Sequence, residues 1–473
     1  MNYADSARIQ AVLTNCWFSY TKNSKEADII IFDTCSVRQK SEDKITGKLK
    51  TIRPDQKVRI TWCMIQHTLR QWKIENWKWK MKVGNFLWTI PNTNPQVIWL
   101  TTDEIKSLIP HPKSLVPINN AFNPIFHNLT QKRKNIELMR RIDDTWFLPL
   151  ILKKLGYTIT YDQECINEYE KILPAGISTS MNAHQKTAYI PISTWCNQFC
   201  SYCIVPYARG LEKYFPVEQI VNEAKIHVQN GAEEIVLLGQ IVNKHPEFIT
   251  IIKKILKLTW LKRLRYTSPY PTYYSKELLS LHEKEEKLCP HIHMPLQSGS
   301  NDVLKKMFRG YSLQQAKKFI NNITQLNRKI SITTDIIVWF PDETEQDFQQ
   351  TLDLVQYGNF DMIYIGIYSP RPWTFAAKNY SDTISRTVKH DRRKRLNDVL
   401  IDISCKNNKQ EVGKTKEVLI NKVGKQVIEG YTDTMKQVII EIWNSEKWKI
   451  KVGEYIKVNI IKAIPFKLYG KIV

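Results

Sequence analysis

The sequence predicts an α/β protein with three domains. These are an N-terminal doubly wound parallel sheet, a central (β/α) barrel, full or partial, and a small C-terminal β-barrel. Apolar strand-like segments alternate with helical ones through most of the 473 residues, a pattern that indicates parallel sheets. From about Val412 the pattern changes to five short strands in about 60 residues, as in oligonucleotide-binding barrels.

The N-terminal domain, residues 1–112, is predicted from two apolar strands and two helices. The strands are Asp28–Phe32 and Lys57–Thr61, and the helices are Ala7–Leu13 and Val37–Lys50. In sheets of this kind, binding sites form outside the carboxyl ends of the strands.

Two cysteines, Cys35 and Cys63, each follow one of these strands. Because the carboxyl ends of parallel strands meet at one edge, we expect both thiols at that edge. A single cysteine is more often a buried apolar residue. The shared placement of the two favours metal ligands.

The central domain, residues 186–408, follows a segment, residues 113–185, that we interpret as a linker with an insertion. Its predicted strands are Ala188–Ser193, Glu234–Leu238, Arg263–Ser268, His291–Leu296, Ser331–Phe340 and Met362–Ser369. Its predicted helices are Val217–Asn230, Leu313–Leu326 and Glu345–Tyr357. Strand and helix alternate regularly, which indicates the barrel.

The tail, residues 411–473, is rich in lysine. Its predicted strands are Lys416–Val423, Gln426–Tyr431, Gln437–Ile442, Tyr455–Ala463 and Leu468–Val473. Three aromatic side chains, Tyr431, Trp443 and Tyr455, either stack nucleobases or belong to the barrel core.

Charge and composition restrict the class of protein. Lys and Arg outnumber Asp and Glu by 69 to 46, and a net charge of +23 indicates an acidic partner such as nucleic acid. No apolar run approaches the roughly 18 residues of a membrane span, and no signal peptide is visible, so we expect a cytoplasmic protein. Nine cysteines in a long cytosolic chain argue against a disulfide framework.

Three of the cysteines form the strongest local motif. Cys196, Cys200 and Cys203 have C-x3-C-x2-C spacing and follow the first barrel strand. Zinc and four-iron clusters normally take four protein ligands, and no fourth Cys or His lies nearby. A cluster on three thiolates leaves one iron open, where the amino and carboxylate groups of S-adenosylmethionine can chelate. The alternative is a structural metal in a non-catalytic RNA-binding protein.

Most of the chain resembles the tRNA methylthiotransferases of the radical S-adenosylmethionine (radical SAM) superfamily. The segments that carry this resemblance are Trp195–Gly210, Leu237–Gln240, His293–Ser300, Asp335–Pro341, Glu343–Phe348 and Tyr368–Pro372. The tail resembles the family's RNA-binding TRAM domain. Around Cys35, the segment Asp33–Lys40 is similar to the subgroup that acts on N6-dimethylallyladenosine.

The resemblance implies two 4Fe–4S clusters, one on Cys196, Cys200 and Cys203 and an auxiliary one on Cys35 and Cys63. It implies methylthiolation at C2 of N6-dimethylallyladenosine in tRNA, 3′ of the anticodon. Threonylcarbamoyladenosine in tRNA and an aspartate of a ribosomal protein remain alternative targets. S-adenosylmethionine, an electron donor and a sulfur source would be required, with no membrane involved, and we expect a monomer.

The S-adenosylmethionine pocket is expected at the carboxyl ends of the barrel strands. Its candidate residues are Gly239, Gln240, Gln297, Ser298 and Asp335. For Gly239 and Ser298, loop capping and turn formation explain the residue type equally well.

The sequence departs from the family at two kinds of position. The family has a first cluster cysteine just before the Met-Asn pair with which this chain starts, so we expect the protein to extend upstream of Met1. Tryptophan also stands where the family pattern has glycine, at Trp62, Trp195, Trp260, Trp339 and Trp373.

The amino-acid counts fit an exchange of these two residue types. The chain has 14 tryptophans and only 16 glycines, about half of the usual roughly 7% for glycine. We hypothesise that UGA codons of this gene encode glycine and were translated as tryptophan. The alternative is a degenerate, inactive homologue, against which the intact cluster cysteines argue.

Overall fold

The computed structural model describes residues 29–34, 57–62, 136–140, 186–206, 212–371, 374–381, 384–424, 426–441 and 450–473. The chain forms two compact units. The first comprises residues 1–180 and 204–210, and the second comprises residues 181–203 and 211–473.

Three parallel strands are described in the first unit. They are β1 (Ile29–Thr34), β2 (Lys57–Trp62) and β3 (Ile136–Arg140), with β2 in the middle. The predicted parallel sheet is thus confirmed. The third strand was not predicted, because it lies in the segment interpreted as a linker. The two predicted helices of this domain lie outside the described residues.

Six parallel strands form the partial barrel of the second unit. They make two three-stranded sheets, and the bridge between Leu264 and Leu288 joins these sheets side by side. The barrel strands are β4 (Thr187–Pro191), β7 (Glu234–Leu238), β8 (Arg263–Tyr266), β9 (His291–His293), β10 (Ser331–Val338) and β11 (Met362–Ile367), and the short strands β5 (Ser193–Thr194) and β6 (Lys213–Tyr214) pair beside them. All six predicted barrel strands are present.

Helices connect these strands. They are α1 (Val217–Gln229), α2 (Phe248–Leu256), α3 (Lys276–Lys284), α4 (Asn301–Lys306), α5 (Leu313–Thr324), α6 (Glu345–Gly358), α7 (Phe375–Asn379) and α8 (Arg386–Lys409). Capping boxes start α5 at Ser312 and α6 at Thr344. The prediction included α1, α5 and α6 and missed the others. None of the described helices is long and apolar enough to cross a membrane.

The core of the partial barrel lies between its strands and helices. Every residue of β7 is buried, as expected for a parallel strand covered on both faces. Ile190, Leu237 and Leu264 from adjacent strands pack against Ile220 of α1 and Ile251 of α2. This packing holds the carboxyl ends of the strands at one edge.

The C-terminal domain is a closed five-stranded barrel, as predicted. Its strands are β12 (Thr415–Val423), β13 (Val427–Tyr431), β14 (Gln437–Glu441), β15 (Tyr455–Ile464) and β16 (Lys467–Ile472), in the order β12-β13-β14-β16-β15. Alternate residues such as Val418 and Ile420 point inward, where they meet Ile428, Val438 and Val458.

Two arginines of β8 attach this small barrel to the partial barrel. Arg265 is buried, forms a 2.6 Å ion pair with Glu234, and donates to the carbonyl oxygens of Thr432 (2.9 Å) and Asp433 (2.6 Å). Arg263 donates to the carbonyl oxygen of Glu417 at 2.8 Å. The turn between β13 and β14 is therefore fixed against the partial barrel.

Replacing Arg265 with alanine is expected to lower the free energy of unfolding by about 3–5 kcal/mol, because Glu234 would stay buried without its partner. Denaturant titration followed by circular dichroism measures this loss. The control is the double variant Glu234→Gln/Arg265→Met, which removes both charges and should cost less. A loss below about 1 kcal/mol for Arg265→Ala would show that the pair is dispensable.

Candidate metal centre

The three-cysteine loop follows β4 and β5 at the carboxyl edge of the partial barrel. Cys196 and Cys200 are buried, Cys203 is half-buried, and none of the three forms a disulfide. The sequence-based placement of these thiols at a strand end is what the structure shows.

Hydrogen bonds hold this loop against two helices, α4 and α7. The Cys203 N–H donates to the Cys200 carbonyl at 2.9 Å, which closes a tight turn. The Ser201 hydroxyl donates to the carbonyl of Lys306 at the end of α4, at 2.7 Å. The Ala376 N–H of α7 donates to the Ser201 carbonyl at 2.8 Å. The thiols are therefore carried on a rigid support.

Two N–H donors point at the sulfur atoms. The backbone nitrogen of Gln198 lies 3.4 Å from Cys196 Sγ, and Arg309 Nη1 lies 3.4 Å from Cys200 Sγ. Burial raises the pKa of the Cys196 thiol to about 11. A metal would have to displace this proton, since thiolates are the ligating form.

The donor set fits an iron–sulfur cluster. Within the described part of the chain, no three His, Cys, Asp or Glu side chains converge on a single metal position. A four-iron cluster does not need this convergence, because each thiolate binds a different iron. Soft thiols that receive N–H donors are the ligands such clusters use.

The proposed auxiliary ligands Cys35 and Cys63 lie outside the described residues. The strands before them end side by side, because Thr34 of β1 and Trp62 of β2 are register partners. The strand ends thus have the predicted shared edge.

Gly239 and Gln240 follow β7 at the same edge of the partial barrel. A Cβ atom built on Gly239 would lie 2.6 Å from the Ser193 hydroxyl oxygen. A larger residue would therefore have to displace the Ser193 side chain, which favours glycine at this position. This contact favours a structural explanation for Gly239.

Gln297 and Ser298 follow β9 and have different surroundings. Gln297 has a left-handed backbone (φ 76°), and its buried Oε1 has no donor among the described residues. This orphaned acceptor suits an N–H group of a bound molecule. Ser298 lies 3.3 Å from the Thr351 hydroxyl and receives the Ser300 N–H at 3.1 Å, so its role is structural.

Asp335 of β10 belongs to a row of polar side chains on one face of the sheet formed by β9, β10 and β11. Its Oδ2 lies 3.2 Å from His293 Nε2, and His293 Nδ1 lies 3.0 Å from the Thr333 hydroxyl. Tyr364 of β11 packs edge-on against His293, with ring centroids 5.6 Å apart. With Asp335 ionised, His293 Nε2 donates to it and Nδ1 accepts from Thr333.

Sequence reasoning missed three residues that complete the site. Tyr270 lies beyond β8, its hydroxyl 3.3 Å from Gln198 Nε2, and Asn243 holds the Tyr270 backbone through two hydrogen bonds (2.8 and 3.0 Å). Arg309 reaches Cys200 from the loop after α4. The local sequence contains no pattern that singles these residues out.

The backbone conformation and burial of the tryptophans bear on the hypothesis that these positions are naturally glycine. Trp195 and Trp339 both have left-handed backbones with φ 69°, a conformation that bulky residues rarely adopt. Trp339 is only 1% exposed, and its indole N–H has no acceptor among the described residues. Trp260 is 75% exposed in a turn, and Trp373 lies outside the described residues.

Tyr455 takes part in the contact between the two barrels. Lys262 Nζ lies 4.5 Å from its ring centroid and Arg263 Cζ lies 4.7 Å from it. Its ring is engaged by the partial barrel, which argues against stacking on RNA. Tyr431 is half-buried, and Trp443 lies outside the described residues.

Two family models match the chain. The model of the Radical SAM superfamily matches residues 190–355, from the end of β4 through the three-cysteine loop and β10. The model described as uncharacterized protein family UPF0004 matches residues 1–84. A three-thiol loop at the carboxyl end of a (β/α) partial barrel thus defines a radical SAM domain.

Relatives align over the whole chain. The tRNA-2-methylthio-N(6)-dimethylallyladenosine synthase of Caldicellulosiruptor saccharolyticus is 32% identical, with 100% of this chain and 90% of that protein covered. The synthases of the same name from Clostridium botulinum and Finegoldia magna are 32% and 31% identical, and the alignments cover 94% and 92% of those proteins. The chain therefore belongs to the tRNA-2-methylthio-N6-dimethylallyladenosine synthase family.

Proposed function

We propose that this chain transfers a methylthio group to C2 of N6-dimethylallyladenosine in tRNA, beside the anticodon. The observation that carries the proposal is the identity to synthases of that name along the full chain, which includes both the radical SAM domain and the small barrel. A cytoplasmic location, where tRNA is available, is part of the proposal.

In this proposal Cys196, Cys200 and Cys203 hold a 4Fe–4S cluster, and Cys35 and Cys63 hold an auxiliary cluster. Bound at the open iron of the first cluster, S-adenosylmethionine supplies radical chemistry on reduction. The loop, fixed by its hydrogen bonds, orients the three thiols, and burial shields Cys196 and Cys200 from water.

The remaining pocket residues bind and orient. The Gln297 Oε1 acceptor is available to an amino group of S-adenosylmethionine. The row of His293, Thr333 and Asp335 offers donors and acceptors with which a purine ring could be held. Gln240, at the end of β7, stays a candidate for the same pocket.

The small barrel supports tRNA binding through its charge. Exposed lysines that form no ion pair within the described residues are Lys451, Lys457, Lys462, Lys467 and Lys471. Phosphate contacts of this kind give affinity without sequence selectivity. We therefore propose this domain, which resembles TRAM, as an RNA-binding module.

The test is expression of the chain in a bacterium that makes N6-dimethylallyladenosine in its tRNA but lacks the enzyme that adds the methylthio group to it. Because the identity of residues 195 and 339 bears on activity, both the tryptophan and the glycine versions are expressed. Mass spectrometry of digested tRNA should show the methylthio derivative of dimethylallyladenosine with at least the glycine version. The control variant, Cys196→Ala/Cys200→Ala/Cys203→Ala, should show none. A methylthio derivative of threonylcarbamoyladenosine in place of that product would overturn the assignment.

A further inference from the structure

The guanidinium of Arg309 contacts a cluster thiol. Its Nη1 lies 3.4 Å from Cys200 Sγ, and its Nη2 donates to the carbonyl oxygen of Pro295 at 2.7 Å. Its Cζ lies 4.6 Å from the ring centroid of Tyr270 and 5.3 Å from that of Tyr311. The guanidinium thus lies beside two aromatic rings, which also contact each other, with one edge toward sulfur.

Both tyrosines are themselves fixed. The Tyr270 hydroxyl accepts the Gly310 N–H at 2.9 Å, and its backbone is clamped by Asn243. The Tyr311 hydroxyl donates to the carbonyl oxygen of Leu296 at 2.7 Å. These contacts come from the loops after β7, β8 and β9, so the guanidinium position is set by the whole carboxyl edge.

The charge of Arg309 lacks an acidic partner. Within the described residues, Arg309 forms no ion pair with a carboxylate; its polar contacts are a carbonyl, a phenol and a thiol. A partly buried cation is costly unless an anion balances it. The Cys200 sulfur, which binds a cluster as a thiolate, is the group in contact that can carry the balancing negative charge.

We propose that Arg309 is a positioning residue that holds the Cys200 thiolate and stabilises the reduced state of the cluster on the three cysteines. The proposal rests on the proposed function for the assignment of that cluster. Reduction by a low-potential one-electron donor adds one negative charge to the cluster. A fixed cation beside a ligating sulfur favours the more negative state, and hydrogen bonds to the sulfurs act in the same direction.

The experiment is a redox titration of the full chain without tRNA. The background variant Cys35→Ala/Cys63→Ala removes the signal of a second cluster, and sodium dithionite is the reductant. Electron paramagnetic resonance then measures the fraction of reduced cluster at each applied potential. Arg309→Gln removes the positive charge but keeps an amide N–H donor. Arg309→Lys keeps the charge but lacks the planar guanidinium group with its several N–H donors.

For Arg309→Gln we expect the ratio of reduced to oxidised cluster at a fixed potential to fall about tenfold, which equals about 59 mV for one electron. Arg309→Lys should lie closer to the parent. The matched control is Arg328→Gln, an arginine that also donates to loop carbonyls but has no sulfur contact, and its titration should be unchanged.

An unchanged ratio in Arg309→Gln at full iron content would overturn the proposal. Loss of iron from both Arg309 variants would also overturn it, because the residue would then serve only to build the loop. Since no tRNA is present, a shifted ratio stands even if the nucleoside test fails, and the two proposals can be judged separately.

Discussion

Replacement of Cys200 with alanine is expected to abolish methylthiolation of tRNA. The buried Cys200 sulfur belongs to a rigid turn. The other cysteines in the described part of this loop are Cys196 and Cys203, which are already ligands, so none is left to replace Cys200. With two thiolates left, the cluster lacks a ligand and iron should be lost from this site. Iron and sulfide analysis after anaerobic reconstitution, together with nucleoside analysis of tRNA, measures both effects.

The matched control is Cys405→Ser, since Cys405 is a free cysteine that lies in α8 and is not part of the loop. It should keep both the iron content and the activity of the parent chain. The fold of Cys200→Ala should also persist, because loss of one small buried side chain costs only about 1–2 kcal/mol. Retention of full activity by Cys200→Ala would remove Cys200 from the ligand set.

Replacement of Trp339 with glycine is expected to stabilise the protein if glycine is the natural residue. The left-handed backbone costs a bulky residue about 1–2 kcal/mol. The buried indole N–H without an acceptor adds about 1–3 kcal/mol. Thermal and denaturant unfolding of the two versions measures the difference.

The opposite sign is expected if tryptophan is natural. Removal of a large buried side chain from a core built around it costs about 3–5 kcal/mol through the cavity that remains. The sign of the change in the free energy of unfolding therefore separates the two readings. A decrease of that size in the free energy of unfolding would contradict the glycine hypothesis at position 339.

The control for the backbone effect is Trp339→Ala. Alanine and glycine leave almost the same cavity, but alanine keeps the left-handed penalty, so the glycine variant should be more stable by about 1–2 kcal/mol. The same comparison at Trp195, which is only half-buried, carries a smaller cavity effect. Peptide mass spectrometry across Thr187–Arg209 from the native host reads residue 195 directly.

The two left-handed tryptophans also bear on the chemistry. Trp195 immediately precedes Cys196, and the backbone N–H of Trp339, after β10, donates to the Glu343 carboxylate at 2.8 Å. Burial raises the pKa of Glu343 to about 7, although Arg392 lies 3.1 Å from it. Both positions are turns at the carboxyl edge of the partial barrel, where backbone conformation sets the direction of the following residues.

Much of the fold could be read from the sequence because its signals are local. The strand Glu234–Leu238 was predicted with the bounds that the structure has, since a short apolar run bounded by turn residues is a property of neighbouring residues. The five strands of the small barrel follow the same rule through alternation of inward and outward residues. The helix α8 was missed because it is highly charged and carries only a weak apolar stripe.

The sequence by itself determined the three-thiol loop, the order of the domains and the positions at which tryptophan conflicts with the family pattern. Only the tertiary structure decided which residues surround the thiols. Arg309 and Cys200 are 109 positions apart, and Asn243 and Tyr270 are 27 apart. Contacts over such separations depend on how the strand ends are brought together, and the residues involved leave no periodic pattern in the chain.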